Sequence, residues 1–365
     1  MSDSLSFSGR FLVFFLVVLF ARCESKNFAY VPHGSGDPVV RQVDDASEIP
    51  SDYVVKAVFD NQINETGWAF LEILANEDAE HDDETKATAA GVIEGVLTSD
   101  LIGMHYTNSM FGICSRRENC DRLLNHTSIN DLWMNENIEK LGDSDPFWYQ
   151  VKLYKKQLVG LASGYASTGA SVPISYGEML TSLLKDQGYW PSYSIAYFPE
   201  IFNKSGGPGL VKKYGDWFTY DKNPRAQIFK RDQGNINNMD DMYALMRYND
   251  FMHDPLSRCD CHPPYSAENA IAARNDLNKV NGTYPFKALG YLIEGAIDAK
   301  ITNRDLATTF QFLSVSGPTH NASRGLPPFR WSEVNPSPKD WALHIGHPDL
   351  WQFKPLTHTW ELGSK

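Results

Sequence analysis

The segment YVVKAVFDNQINETGWAFLEILA, residues 53–75, has the pattern of two β-strands joined by a turn. Its first part, YVVKAVFD, is rich in β-branched residues, and its last part, WAFLEILA, is apolar and aromatic. The stretch from Asn61 to Gly67 between them holds the polar and glycine residues that turns use. We therefore predict a β-hairpin over this segment.

Helical patterns follow the hairpin. Apolar residues recur at mostly helical spacing from Glu84 to Met110, which predicts one long helix with a buried face. A second helix is predicted from Phe147 to Gly164, because Asp145-Pro146 supplies a cap and a first-turn proline.

The rest of the sequence shows weaker periodicity. Four regions carry a pattern: a short helix at Met179–Leu184, a methionine-rich core helix at Met239–Met252, and strands at Gly295–Thr302 and Thr308–Ser316. The tail from Pro327 to Trp360 is rich in Pro, Trp and His, and we expect it to wrap the surface with aromatic anchors.

The first 25 residues have the pattern of an export signal. Phe11–Ala21 is an unbroken run of eleven apolar residues, which is too short to span a bilayer and is typical of a secretory signal peptide. A signal anchor, the alternative, needs roughly 18 or more apolar residues. We expect residues 1–25 to be a signal peptide and the protein to be secreted or lysosomal, and no later stretch predicts a transmembrane segment.

The net charge of the chain indicates which classes of partner it can bind. The chain carries 33 basic and 45 acidic residues, a formal net charge of -12. Phosphate backbones and anionic lipid surfaces would repel an acidic chain that has no basic cluster. The sequence therefore argues against nucleic acid as a partner, and we expect any lipid contact to be made in a pocket.

Export also predicts N-glycosylation. Five N-x-S/T acceptors are present, at Asn64, Asn125, Asn203, Asn281 and Asn321. An acceptor that is used must lie on the surface, whereas an unused Asn is a turn or cap residue.

Four cysteines remain outside the signal: Cys114, Cys120, Cys259 and Cys261. In an oxidising compartment we expect them to form disulfides, and three pairings are possible. Zinc binding by Cys259, Cys261 and the nearby histidines is the alternative, but C-x-C lacks the usual finger spacing. We predict no metal and no other cofactor.

Long unusual strings carry a family resemblance. The clearest are GDWFTYDKNPRAQIFKRDQG from Gly215, MRYNDFMHDPLSRCDCHPPYSAENAIAARNDLN from Met246, and NGTYPFKALG from Asn281. Others include DPFWYQVKLYKKQL from Asp145 and GYASTGASVPISYGEML from Gly164. Together they resemble the phospholipase B-like, or lamina ancestor-like, family, and the resemblance covers essentially the whole chain after residue 25.

This resemblance implies both a fold and an activity. The implied fold is α+β, the four-layer αββα sandwich of the N-terminal nucleophile hydrolases. The implied activity is hydrolysis of acyl ester or amide bonds, with a lipid or acylated small molecule as substrate. In that chemistry a newly exposed N-terminal cysteine is the nucleophile, and its own α-amine is the general base.

The sequence departs from the family pattern after SYGEML. The family continues there with a Gly/Ser-rich segment that carries the nucleophilic cysteine and then with several core strands. Here Leu184–Gly188 leads directly to Tyr189. We therefore assign no catalytic residue, and we expect an incomplete sandwich and an inactive chain. The two matching parts, residues 26–186 and 187–365, are the N-terminal and C-terminal parts of one phospholipase B-like domain.

Polar residues within the matching strings are candidates for lining what remains of the pocket. They are Arg225, Arg231, Asn269, Arg274 and Asp276. Structural ion pairs and turn hydrogen bonds are the alternative roles of these side chains. Two functions stay open: a shortened form of an acyl hydrolase, or a noncatalytic secreted glycoprotein.

Overall fold

The computed structural model describes residues 26–34, 36–77, 80–114, 117–172, 195–334 and 345–362, together with Ile174, Tyr176 and Met179. The strands are β1 Asn27–Pro32, β2 Arg41–Val43, β3 Tyr53–Gln62, β4 Trp68–Ala75, β5 Ala299–Ile301, β6 Leu313–Val315, β7 Phe329–Arg330, β8 Leu350–Trp351 and β9 Leu356–Thr357. The helices are α1 Ile63–Thr66, α2 Asp83–Leu97, α3 Ser99–Cys114, α4 Arg117–Leu141, α5 Pro146–Ser167, α6 Pro199–Lys204, α7 Gly207–Tyr214, α8 Pro224–Asp232, α9 Met239–Met246 and α10 Arg304–Thr308. The expected signal peptide, most of the short helix predicted at Met179–Leu184, and the boundary between residues 186 and 187 lie outside the described residues.

The largest sheet confirms the predicted hairpin. Its antiparallel order is β2-β1-β3-β4, and β3 pairs with β4 from Val55↔Ala75 to Gln62↔Trp68. Helical turn α1 joins the two strands, and Gly67 ends this turn in the left-handed conformation, with φ of 79°. A side chain at Gly67 would also collide with Ser316, so the turn is fixed by distant packing as well.

Helix α2 packs on one face of this sheet. Alternate residues of a strand point to the same face, so small and branched side chains of β1 and β3 meet the helix together. The buried cluster at this contact contains Ala29, Val31, Val54, Val55, Ala57, Ala89 and Ile93. This cluster is one of two buried hydrophobic clusters described in the N-terminal part of the chain; the other contains Leu161, Tyr165, Ile174 and Met179.

Helices α2 and α5 approach each other closely enough for backbone contact. A β-carbon built on Gly91 would lie 1.9 Å from the carbonyl oxygen of Gln157. Three more glycines at this contact would each place a β-carbon 2.2 Å from a carbonyl oxygen of the opposite helix: Gly95, Gly160 and Gly164. The two helices therefore pack this closely only because these four positions have no side chain.

The structure divides the single helix predicted over residues 84–110 into α2 and α3, which are bent by 76°. At the break, the Thr98 hydroxyl donates to the carbonyl oxygen of Glu94 at 2.8 Å. Such a side-chain bond competes with helical hydrogen bonding and is common where helices bend. The helix predicted from Phe147 is confirmed as α5, whose N-cap Asp145 accepts from the backbone of Phe147 and Trp148.

Within the described residues, no individual helix combines the length and the apolar composition that a bilayer crossing requires. Among the described helices, one bent pair, α2 with Ser99–Met110, meets the criterion by length and composition alone.

The C-terminal tail packs against the hairpin. Glu72 of β4 is only 6% exposed, and its carboxylate accepts the backbone N–H groups of Glu361 at 2.8 Å and Leu362 at 2.9 Å. His358 lies 2.9 Å from the same carboxylate and stacks on Phe70 with ring centroids 4.3 Å apart. Buried Phe329 and Phe353 also anchor the tail, in agreement with the aromatic anchors predicted for it.

The remaining predicted elements are present but shorter. The methionine-rich helix is α9, Met239–Met246, and the late strands shrink to β5 and β6. With β9 these two form a small antiparallel sheet. The described residues thus combine helices with antiparallel sheets, which confirms the α+β prediction at that level.

Candidate functional site

Arg274 is the most voluminous of the fully buried side chains in the described residues. Its guanidinium forms a bidentate pair with Asp276, with Nε–Oδ1 of 2.8 Å and Nη2–Oδ2 of 2.7 Å. Its Nη1 donates to the carbonyl oxygens of Thr319 and Pro327. Arg274 therefore holds together three segments of the C-terminal part.

The backbone around Arg274 is fixed by close neighbours. Its N–H donates to the carbonyl oxygen of Ala267 at 3.1 Å, and the residue forms an antiparallel bridge with Gly295. Gly295 has φ of 154°, and a β-carbon there would lie 2.3 Å from the carbonyl oxygen of Ala273. Only glycine allows this approach, so Gly295 helps to place the Arg274 side chain.

Arg231 belongs to a second network, at the end of α8. It makes bonds of 3.0 and 2.9 Å to the two oxygens of Asp254, which also accepts from the Tyr248 hydroxyl at 2.7 Å. Burial by itself would raise the pKa of Asp254. Hydrogen bonds from the Leu256 backbone and from the side chains of Tyr248 and Arg231 outweigh burial, so the pKa is lowered. Burial and the bond to Asp254 raise the pKa of Tyr248 to about 12.

Arg225 and Asn269 lie in a third network. Arg225 forms an ion pair with Glu268 and donates from Nε to the Glu268 carbonyl oxygen at 3.2 Å. Asn269, which is 1% exposed, accepts from the Trp217 indole at 2.7 Å. Both residues join α8 and its preceding loop to the turn at residues 266–269.

The five predicted pocket residues are thus placed in three structural networks. Arg274 and Asp276 border two cavities, whereas the other three residues, Arg225, Arg231 and Asn269, are not among the residues that line these two. The structure therefore brings Arg274 and Asp276 together and leaves the others apart from them.

The more apolar of these two cavities, which we call the tryptophan cleft, has a volume of about 200 Å³. Its larger apolar lining residues are Ile293, Ile297, Pro318, Phe329, Trp331 and Trp351. Arg274, Asp276, Glu294 and His347 add polar groups to its wall. The second cavity, of about 360 Å³, is more polar and includes Lys279, Arg330 and Glu333.

Three rings define one side of the tryptophan cleft. His347 stacks on Trp331 with centroids 5.6 Å apart and meets Trp351 edge-on at 5.5 Å. Burial lowers the pKa of His347 below its usual value, which favours a neutral imidazole at neutral pH. The Nε1–H of Trp351 is buried and has no acceptor among the described residues.

A polar cluster that sequence reasoning missed lies beside the departure point at SYGEML. Lys155 of α5 donates to Asp131 and Asn135 of α4, both at 2.6 Å, and the Tyr176 hydroxyl reaches Asp131 at 3.3 Å. Burial and the Asp131 charge raise the pKa of Tyr176. The available signal was a lysine on the apolar face of α5, three residues before buried Leu158.

The cysteines form two local disulfides, Cys114–Cys120 and Cys259–Cys261. Their sulfurs are therefore not available as thiolate ligands for a metal. Within the described ranges, no group of three or more His, Cys, Asp or Glu side chains is arranged to hold a metal ion.

The five predicted glycosylation acceptors all lie at exposed positions: Asn64, Asn125, Asn203, Asn281 and Asn321. They are spread along both matching parts of the chain. Asn321 also caps a 3₁₀ turn through its Oδ1, which accepts from the backbone of Ser323.

Comparison with known proteins identifies relatives of this chain. The family model described as Phospholipase B matches residues 55–179 and 173–358, two stretches that overlap at residues 173–179, just before the departure point. The chain is 52% identical over 182 residues to a Mus musculus protein named putative phospholipase B-like 2, covering 50% of this chain and 30% of the relative. It is 50% identical over 180 residues to Caenorhabditis elegans putative phospholipase B-like 1, covering 49% and 31%. It is 38% identical over 185 residues to Homo sapiens phospholipase B-like 1, covering 50% and 29%. The matched region thus spans less than a third of the length of these relatives.

Proposed function

The chain belongs to the phospholipase B family, and from that membership we propose an acyl hydrolase scaffold for phospholipid-like esters or amides that lacks its nucleophile in this chain. The four-stranded sheet and the small sheet of β5, β6 and β9 would then be parts of the two sheets of an incomplete αββα sandwich. The substrate would be a lipid or acylated small molecule.

The proposed inactivity rests on the disulfide bonding of the cysteines. An N-terminal nucleophile must be a free thiol that becomes a new chain end, and its thiolate attacks the acyl carbon. All four cysteines that follow residue 25 are in disulfides. The remaining one, Cys23, lies within the expected signal peptide. None of the five is thus positioned to take that role.

We expect the chain, purified after expression, to hydrolyse neither phospholipid nor amide substrates above background. The assay measures fatty acid release with and without a thiol-alkylating reagent. A matched variant carries a relative's central segment between Leu180 and Tyr189, and this insertion is expected to introduce thiol-dependent turnover. Turnover by the unmodified chain that alkylation abolishes would refute the proposed inactivity.

The alternative function, a noncatalytic secreted glycoprotein, is favoured by the exposure of all five acceptor asparagines. We propose that the protein is exported and glycosylated at several of them. Enzymatic removal of N-glycans is expected to lower the apparent mass in several steps. Gel electrophoresis of samples taken during a partial digestion measures these steps. A secreted protein whose mobility does not change would show that the acceptors are not used.

A further inference from the structure

We propose that His33 and His81 form a binding site for a divalent transition-metal ion, and that Cu²⁺ is the ion that fits the site best. The two histidines belong to the N-terminal part of the chain, whereas the zinc ligands weighed from the sequence, Cys259 and Cys261, belong to the C-terminal part. Metal binding at the histidine pair is independent of the proposed acyl hydrolase function.

The two imidazole rings are in direct contact. Nε2 of His81 lies 3.0 Å from Nδ1 of His33, and the ring centroids are 4.7 Å apart with the planes inclined by 51°. A hydrogen bond of this kind needs a donor N–H on one ring and a lone pair on the other. A shift of the donor ring to its other tautomer would give both facing nitrogens a lone pair, which is the form of imidazole that binds metals.

The distance between the two nitrogens selects the coordination geometry. Imidazole nitrogens bind zinc at about 2.0–2.1 Å. With bonds of that length, two nitrogens 3.0 Å apart subtend an angle of roughly 95° at the metal. This angle is close to the angle of about 90° between neighbouring ligands of a square-planar or tetragonal site, and well below the tetrahedral angle of about 109° found in zinc sites. Cu²⁺ and Ni²⁺ favour the tetragonal arrangement, and Cu²⁺ binds a given set of ligands most tightly among the divalent ions of the first transition row.

Regular structure positions both histidines. His33 directly follows β1, and its backbone N–H donates to the Asp52 carbonyl oxygen at 3.3 Å. His81 directly precedes Asp82, the N-cap of α2, whose carboxylate accepts from the Thr85 backbone at 2.8 Å. Strand β1 and helix α2 meet in the same buried cluster. The two rings are therefore held near each other before a metal binds, which lowers the entropy lost on binding.

The histidine pair borders a cavity that leaves room for further ligands. This cavity, of about 280 Å³, is lined by both histidines and by Asp37, Arg41 and Thr85, among other residues. The Asp37 carboxylate offsets the positive charge of Arg41 on its wall. His33 is exposed and His81 is half-buried, so water has access to the pair. Within the described residues no third His, Cys, Asp or Glu joins the two histidines in a metal-binding group, so water molecules would complete the coordination.

The test titrates Cu²⁺ into the full chain, purified without a histidine tag, and measures binding by isothermal titration calorimetry. The tightest equivalent of Cu²⁺ is expected to bind at this site, and more tightly than Ni²⁺ or Zn²⁺. Electron paramagnetic resonance of the chain with one equivalent of Cu²⁺ should show a tetragonal site with two nitrogen ligands.

Variants assign the binding to the histidine pair. His33→Ala and His81→Ala each remove one of the two nitrogens, and each should weaken the tightest binding by about tenfold or more, because two linked ligands no longer act together. His33→Gln is a milder change that keeps a hydrogen-bonding group beside His81, and it should weaken binding as His33→Ala does. His253→Ala is the matched control, because His253 is 69% exposed and its Nδ1 lies 2.7 Å from the Asp250 carboxylate instead of a second imidazole. This control should bind Cu²⁺ like the unmodified chain.

Three results would overturn the proposal. They are equal Cu²⁺ affinity in the unmodified chain and the His33 or His81 variants, an equal loss of affinity in His253→Ala, and a resonance spectrum of the unmodified chain with fewer than two nitrogen ligands. Tighter binding of Zn²⁺ than of Cu²⁺ would overturn the choice of metal. Chemical denaturation of the metal-free variants identifies any that fails to fold, and the spectrum of the unmodified chain then decides without them.

Discussion

Replacing Arg274 by alanine is expected to lower the free energy of unfolding by about 3–5 kcal/mol, the usual cost of leaving a buried charge without its partner. The side chains of Arg274 and Asp276 are only 2% and 13% exposed. The substitution also removes the donors to the carbonyl oxygens of Thr319 and Pro327. Because folded domains have only about 5–15 kcal/mol of stability in total, this loss is large.

Chemical denaturation monitored by tryptophan fluorescence measures the effect. Arg122→Ala is the control, since Arg122 and Glu118 also form a close pair, at 2.6 Å, but both side chains are 75% exposed. Exposed helix pairs of this kind contribute only about 0.3–0.5 kcal/mol. If Arg274→Ala costs no more than Arg122→Ala, Arg274 does not hold its three segments together. The double variant Arg274→Met with Asp276→Leu should recover much of the loss, because it removes both charges.

Gly91→Ala is expected to destabilise the protein by about 1–3 kcal/mol, although alanine is the better helix former. The new methyl group would lie 1.9 Å from the Gln157 carbonyl oxygen, so α2 and α5 would have to separate. Separation would in turn disturb the sheet contact, because Ala89 and Ile93 of the same helix pack against β1 and β3.

Gly103→Ala is the matched control, because this glycine is also helical but its β-carbon would have its nearest neighbour, the Tyr165 hydroxyl, at 3.6 Å. That is an ordinary contact, so the alanine should stabilise α3 by about 0.5–1 kcal/mol. If thermal unfolding shows a lower Tm for Gly91→Ala and a higher Tm for Gly103→Ala, the close contact of α2 and α5 limits stability. Similar stabilisation by both substitutions would show that the helices tolerate separation.

Several aromatic side chains are exposed in the described part of the chain. Phe310 is 83% exposed and Phe312 is 40% exposed, near the small sheet of β5, β6 and β9. Trp133 and Phe147 are likewise more than half exposed, on α4 and α5. Burial of such rings normally stabilises a core, and these four rings lack that burial here.

The sequence alone determined the elements whose signals are local. The hairpin at residues 53–75 follows from strand residues flanking a turn, and α5 begins where Asp145-Pro146 provides a cap. The long strings after Gly215 also led to the family, because a long specific string identifies relatives without knowledge of any contact. The first strand pair and α4 were missed, since β2 has only three residues and α4 has a mixed polar composition.

Only the tertiary structure decided how distant segments meet. The close contact of α2 with α5 depends on glycines more than 60 residues apart, and nothing local distinguishes them from other helical glycines. The tryptophan cleft combines residues between 273 and 297 with residues 318, 329, 331, 347 and 351, so its walls exist only after the chain has folded. The five polar candidates were recognisable as unusual, but their partners decided their places, because charged and amide side chains go where counter-charges or hydrogen-bonding groups satisfy them.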